Sequence, residues 1–500
     1  MAFSSRTFSI PYVVGVNESS GDVNVNAYLA PYAQNIHTTY GVMESARGYR
    51  EFIAQSLPDE HPTRIYLFND INTLDGTRTR HIVVTTDTKV MVWDENGAAW
   101  KVLYAGALSG EWGFITYQKD DDVILILGNG KDNVKVWDGV SNELVDLEGA
   151  PCKGRFFALH YERLWMAGDP ALPNSVFYSR QFNPNDWTGD IETPSAGGGQ
   201  VDLPSFESGG FVTGIYTTAN EVVVMKESTA IRIYGTSPSS YTAYEVQGGI
   251  GTKAERAIVQ YGGANYFPTR HGLGVQSGSA ATLLGDRSIP RIFDGMYYEG
   301  QEIRVNLSYQ SKACGTRYDE KLWFALPLGD AAENNAVIEY DPNREAMMIH
   351  RGLNVIDFAL CDQEDNYVVF VGQNAQGEYK VYAYGDTWDY DGTPQESIWC
   401  SPWQDFGDKG RKKVVREVRL YGHIEKANED LSASGSVLVT VETDRGKFCK
   451  TVAAFPFRDT PQSYRFGLRC SGERFRVILK SGENGRFRFS GGVEMEVEAE

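Results

Sequence analysis

Short apolar runs separated by turn residues dominate the chain, and helical periodicity is almost absent. Runs such as Val123-Ile124-Leu125-Ile126-Leu127 are strand-sized and far too short to cross a membrane as a helix. A single stretch, Gly41 to Gln55, offers a short helix, weakened by its glycines. Beyond it, β-rich runs alternate with clusters of Asp, Glu, Asn and Gly, the pattern of an all-β protein.

The pattern repeats. One unit runs from Arg64 (RIYLF) through HIVVTTD and KVMVWDENG to WKVLYAG; the next, from Trp112, runs through WGFITYQ, DVILILGNG and VKVWDG to NELVDL. Val-Trp-Asp falls at the same place in both, ending at Asp94 and Asp138. Further units start at Arg155, Val212, Ala257, Ala313 and Ile356, so starts lie roughly 43 to 56 residues apart, the length of a four-stranded propeller blade. Continuous apolar second strands (VILIL, YVVFV) suit sheets packed on both faces. A β-propeller of about seven blades over residues 63–391 is expected. Glu192–Ser208 and Ser288–Ser311 fit no blade cleanly, and the turn-rich Asp386–Glu396 reads as a linker. From 392 to 500 the strands lengthen and become amphipathic, predicting an antiparallel β-sandwich with one wet face per sheet. Residues 1–62 are low in repeat character and read either as an arm packed on that domain or as strands contributed to the sandwich.

Composition sharpens the picture. The 500 residues are 42% hydrophobic, which supports a core without covalent staples, and carry a net charge of −19, which disfavours a broad nucleic-acid or anionic-membrane face. The N-terminus lacks a charged region followed by an apolar stretch, so no signal peptide is expected. None of the six cysteines (Cys152, Cys314, Cys361, Cys400, Cys449, Cys470) stands in C-x-x-C spacing; they read as small buried hydrophobes in a protein made in the cytoplasm.

The chain carries none of the common catalytic motifs. G-x-S-x-G, H-E-x-x-H, the P-loop and the dinucleotide fingerprint are missing, and no cofactor is implied. The seven histidines lie far apart in sequence and read as turn or blade-surface residues rather than metal ligands. Asp120-Asp121-Asp122 and Asp389-Tyr390-Asp391-Gly392 have the oxygen chemistry of calcium loops, but each reads more simply as a solvated turn. The repeated Asp boxes of propeller sialidases are absent, and the Trp-Asp pairs lack the Gly-His of WD repeats. The chain is expected not to be an enzyme.

One basic cluster stands out in this acidic chain: Lys409, Arg411, Lys412 and Lys413, followed by Arg416 and Arg419. Alternation places Lys413, Glu417 and Arg419 on one strand face. The cluster reads as a solvated edge that resists aggregation, as a surface for an acidic neighbouring subunit, or as a contact to DNA phosphates.

Several segments resemble the tail hub, or nozzle, proteins of short-tailed bacteriophages and their packaged-DNA-stabilisation relatives. They are Gly249-Ile250-Gly251 to Ile258, ANYFPTRHGLGVQSG, the strand to Ser288-Ile289, and SIWCSPWQDFGDKGRKKVVREVRLYG. An Asn-rich segment (Asn24, Asn26, Asn35) leading to Arg47-Gly48-Tyr49 is similar to an Arg-Pro-Gly step of that family, here without the proline. The resemblance implies a structural virion protein of the tail. It would form a homo-oligomer, a hexameric ring below the portal and adaptor proteins, through which DNA passes without specific binding and to which tail fibres attach. It implies no membrane span. The alternative is a propeller that binds or degrades glycans, with Trp187 and Tyr298 stacking on sugars.

Overall fold

The computed structural model describes residues 5–12, 15–16, 29–39, 41–58, 60–71, 76, 78–119, 122–203, 210–218, 220–284, 292–299, 301–359, 367–453 and 461–499. Asn24, Asn26, Asp120, Asp121, Ser288, Ile289 and Cys361 lie outside the described residues. The chain is built almost wholly from strands, arranged as a propeller joined to a pair of C-terminal sheets.

Five free-standing four-stranded sheets follow one another in sequence. Their innermost strands are Pro62–Ile71, Gly113–Lys119, Phe156–His160, Val212–Thr217 and Val259–Tyr261. A sixth blade holds Val355–Ala359, Val368–Gln373 and Tyr379–Tyr384, and takes its fourth strand, Tyr49–Ile53, from the N-terminal region. Its first strand packs beside the first strand of blade one, which closes the ring. The structure thus has six blades rather than the expected seven. The sixth repeat unit in sequence, Cys314–Tyr318 to Ala346–Arg351, is not a separate blade, because its outer strand pairs with Tyr32–Gln34 and runs on into a nine-stranded sheet shared with the C-terminal region.

Burial explains why the second strands of the units are apolar through their middle. Arg163–Ala167 and Glu221–Lys226 are buried at every position, because a neighbouring sheet covers each face. Each fully buried Val, Leu or Met there contributes about 1.5–3 kcal/mol. The hairpins between first and second strands use a common geometry. Tyr161-Glu162 (φ 49° and 55°) and Asp319-Glu320 (φ 48° and 59°) are consecutive left-handed pairs, the turn that matches strand twist.

Two sheets sandwich the C-terminal core. One orders Arg6–Ile10, Val493–Ala499, Lys413–Lys426, Gly485–Ser490, Val42–Ser45 and Ile36–Thr39, with Gln462–Gly472 also on Lys413–Lys426. The other continues from the merged unit through Tyr32–Gln34, Ile398–Cys400, Phe475–Ser481, Ser436–Thr443 and Gly446–Ala453. Val418 and Leu420 from the first sheet meet Val437, Val439, Val477 and Leu479 from the second in one cluster.

Three sequence expectations are corrected. The helix expected over 41–55 is two strands, Val42–Ser45 and Tyr49–Ile53, because each finds a sheet edge to complete. Asp386–Glu396 is not a free linker: Asp389–Tyr390 and Thr393–Pro394 form a tight hairpin docked on Tyr49. Both unassigned stretches also have places. Gly199–Asp202 is the outer strand of blade three, and the hairpin Met296–Tyr298/Gln301–Ile303 feeds Phe293 and Met296 into the C-terminal core.

Candidate functional site: the propeller axis and the seam with the C-terminal sheets

Charged residues stand at or just before the innermost strand of most units: Arg64, Glu111, Arg155, Glu255-Arg256, Lys312 and Asp357. The circular array brings these sequence-distant groups together at the axis. Arg64 Nε donates to Asp357 Oδ2 at 2.8 Å, and its Nη1 donates to the Trp112 carbonyl at 2.6 Å. Arg155 Nη2 bridges Glu111 (2.9 Å) and Glu255 (2.6 Å). Arg256 donates to the carbonyls of Thr63 at 2.7 Å and Lys312 at 2.9 Å, and so ties three units together.

Electrostatics follows the geometry. Burial pushes the Glu111 carboxyl up, but Arg256, Arg155 and Arg64 outweigh it and hold the group below the usual glutamate range. Burial disfavours the Arg256 charge, yet Asp357, Glu111 and Glu255 keep it raised. Cys314, buried beside Asp357, has its thiol pushed far up and is inert as a nucleophile. Carboxylates do converge on the axis, as a glycan-hydrolysing propeller would need, but each of Glu111, Glu255 and Asp357 faces a guanidinium. Both the axial ring and its convergence escaped the sequence reading. The available signal was the recurrence of a charged residue at the start of successive repeat units.

The basic cluster is mostly engaged within the chain. Lys413 is buried, and its ammonium donates to the carbonyls of Asp408 (2.6 Å), Arg411 (2.8 Å) and Glu473 (3.2 Å). Arg416 pairs with Glu498 at 2.6 Å, and Arg419 pairs with Glu417 and with Glu496 at 3.4 Å. Arg411 lies 3.6 Å from Asp408; Lys409 is exposed, and Lys412 is partly buried with an interaction of its own. The expected face shared by Lys413, Glu417 and Arg419 does not exist. A register shift between Val415 and Glu417 inverts the alternation, so Lys413 points into the core while Glu417 and Arg419 point out.

Other candidates are also relocated. Trp187 is 8% exposed and packs in the core between blades two and three. Tyr298 stacks on Tyr32 with ring centroids 3.9 Å apart, so neither ring offers an open platform for a sugar. Asp389 accepts from the Gly392 amide at 3.2 Å, and burial raises the carboxyls of both Asp389 and Asp391. Cys314, Cys400 and Cys470 are buried, as expected, whereas Cys449 is exposed. Burial pushes the thiols of Cys400 and Cys470 up to about 11. A cleft of ≈ 500 Å³ lies beside blades four and five, lined by Ser228, Thr252, Lys253, Arg270, His271 and Gln310 among others. The histidines are not all surface residues. His350 is fully buried and meets Glu339 and His37 at the seam between the merged unit and the N-terminal strands.

No protein-family model matches the chain, and no curated protein matches it. Solved structures do. A chain of the mitotic checkpoint complex aligns with 68% of this chain and 94% of its own length, at 11% identity and a TM-score of 0.40. The extracellular domain of a candidate one-component system of B. thetaiotaomicron aligns with 93% of this chain at 9% identity and a TM-score of 0.43. That of a candidate hybrid two-component system of the same organism aligns with 90% at 8% identity and 0.44. The alignments span 64% and 63% of those two bacterial domains.

Proposed function

We propose that this chain is a non-catalytic assembly protein, a tail hub of a short-tailed bacteriophage that forms a ring below the portal and adaptor. The family resemblance of the sequence supplies the virion setting. The observation that carries the mechanical part is the nine-stranded sheet, in which the merged unit, packed between blades five and six, continues through Tyr32–Gln34 into the C-terminal sandwich. Such continuity transmits load between the two parts, as a component under packaged-genome pressure requires. The axial ion ring supports the same reading. It ties the units to one another, and its carboxylates are committed to arginines, so they lack the separate acid and base that hydrolysis needs. In this reading DNA passes between copies and not through a propeller, and the net charge of −19 lets the duplex slide.

The test is the mass of the assembly. Native mass spectrometry and negative-stain imaging of the chain with its portal and adaptor are expected to give a closed hexameric ring. Monomers alone under those conditions would overturn the proposal.

A further inference from the structure

Among the described residues one group of side chains has the makings of a metal site: His37, Glu339 and His350. Glu339 and His350 sit on adjacent strands of the merged unit, Ala336–Asp341 and Ala346–Arg351, where Glu339 opposes Met348 and His350 opposes Val337. They are diagonal neighbours on one face. His37 arrives from the N-terminal strand Ile36–Thr39, which belongs to the first C-terminal sheet. His350 Nε2 lies 3.3 Å from Glu339 Oε2, and His37 Nδ1 lies 3.6 Å from Glu339 Oε1. The three ligating atoms all fall within 4.8 Å of one another.

These separations are informative. Bonds of about 2.0–2.2 Å from nitrogen and oxygen to a tetrahedral zinc ion place ligand atoms about 3.4 Å apart. They are long for hydrogen bonds, and His37 Nδ1 is a buried atom with no hydrogen-bond partner among the described residues. Lys321 Nζ holds Glu339 Oε1, the oxygen 3.6 Å from His37, at 2.8 Å, and Oε2 faces His350. A carboxylate steadied on one oxygen and ligating through the other is a common outer-shell arrangement. Trp323 stacks on the His350 ring at 5.2 Å and fixes its plane.

We infer that His37 Nδ1, His350 Nε2 and Glu339 bind a divalent transition metal of the zinc class and thereby staple the N-terminal strand Ile36–Thr39 to the merged unit. The inference does not depend on the tail-hub reading. The full-length chain, stripped with chelator, is titrated with Co²⁺ and followed by visible absorption. One equivalent giving the intense bands of a tetrahedral site is expected, with Zn²⁺ displacing it and Mg²⁺ and Ca²⁺ failing to. His37→Ala, on a partly exposed ring, is expected to abolish stoichiometric uptake, and His271→Ala, in the separate cleft, to retain it. Lys321→Met is expected to weaken binding about 10–100-fold. A readout that needs no variant is amide exchange over Ile36–Thr39, expected to slow on adding Zn²⁺. No stoichiometric uptake, or uptake unchanged in His37→Ala, would show an ion-pair network only and overturn the inference.

Discussion

Arg64 and Asp357, 293 residues apart, meet at the closure of the ring, with the guanidinium Nε 2.8 Å from the carboxylate. The same Asp357 oxygen accepts from the Ile65 amide at 3.1 Å, so a single side chain joins the last blade to the first. The Asp357 side chain is only 3% exposed and that of Arg64 18%, so water screens the pair little.

Asp357→Ala is therefore expected to be severe. It leaves a buried guanidinium short of its counter-charge and an amide without an acceptor, a loss of about 3–5 kcal/mol. Urea unfolding followed by tryptophan fluorescence measures it. A midpoint equal to that of the unsubstituted chain would show that the contact does not close the ring.

Gly48 offers a second test at the N-terminal closure of blade six. A Cβ there would lie 1.7 Å from the Asp389 carbonyl oxygen, in a backbone crossing held by Gly48 N to Thr387 O (2.7 Å) and Asp391 N to Tyr49 O (2.8 Å). Gly48→Ala is expected to push the 389–394 hairpin off the Tyr49 strand at a cost of about 1–3 kcal/mol. Limited proteolysis is expected to cut this variant between residues 41 and 58 while sparing the parent protein.

The two closures show what the residue pattern discloses and what it withholds. Blade strands were readable because local alternation and turn residues carry the information: the Val-Trp-Asp runs at Asp94 and Asp138 fall at the ends of third strands. The sixth unit also has blade-like sequence; its outer edge is completed by Tyr32–Gln34, a partner more than 300 residues away in the chain, and no local pattern encodes that. Tyr49–Ile53 reads as helix for the same reason, since its sheet neighbour lies at Val381–Tyr384. One extra residue at the bulge after Val415 was enough to put Lys413 on the wrong face. The axial arginines and the His37–Glu339–His350 group were invisible because each is assembled from separate units.

Glu60 gives a pH signature. A hydrogen bond from Lys89, then ones from Thr86 and Thr88, hold its carboxyl down at about 2, against an ordinary 4.5. The folded pKa lies below the unfolded one, so the contribution is fully present above about pH 4.5 and is lost as pH falls toward 2. The difference in thermal midpoint between the parent and Glu60→Gln is expected to stay constant near neutrality and to shrink across that window. A difference that grows on acidification contradicts the assignment. Because Glu60 is partly exposed, added salt should reduce the difference as well.

The basic cluster separates folding from assembly. Lys413→Met removes an ammonium that serves three carbonyls in a buried turn, and leaving even one of them unsatisfied costs about 1–3 kcal/mol. Its effect is expected on the unfolding midpoint of the isolated chain. Lys409→Glu, at an exposed position, is expected to leave that midpoint within about 0.5 kcal/mol. If the exposed end of the cluster meets an acidic neighbour in the ring, Lys409→Glu weakens assembly instead, most strongly at low ionic strength, where a Debye length of about 10 Å or more leaves surface charges unscreened. Under the proposed ring, sedimentation of both variants with the portal and adaptor proteins, at low and high salt, separates the two roles. Assembly that is indifferent to Lys409→Glu at every salt concentration removes the cluster from the interface and leaves it the structural task that Lys413 performs.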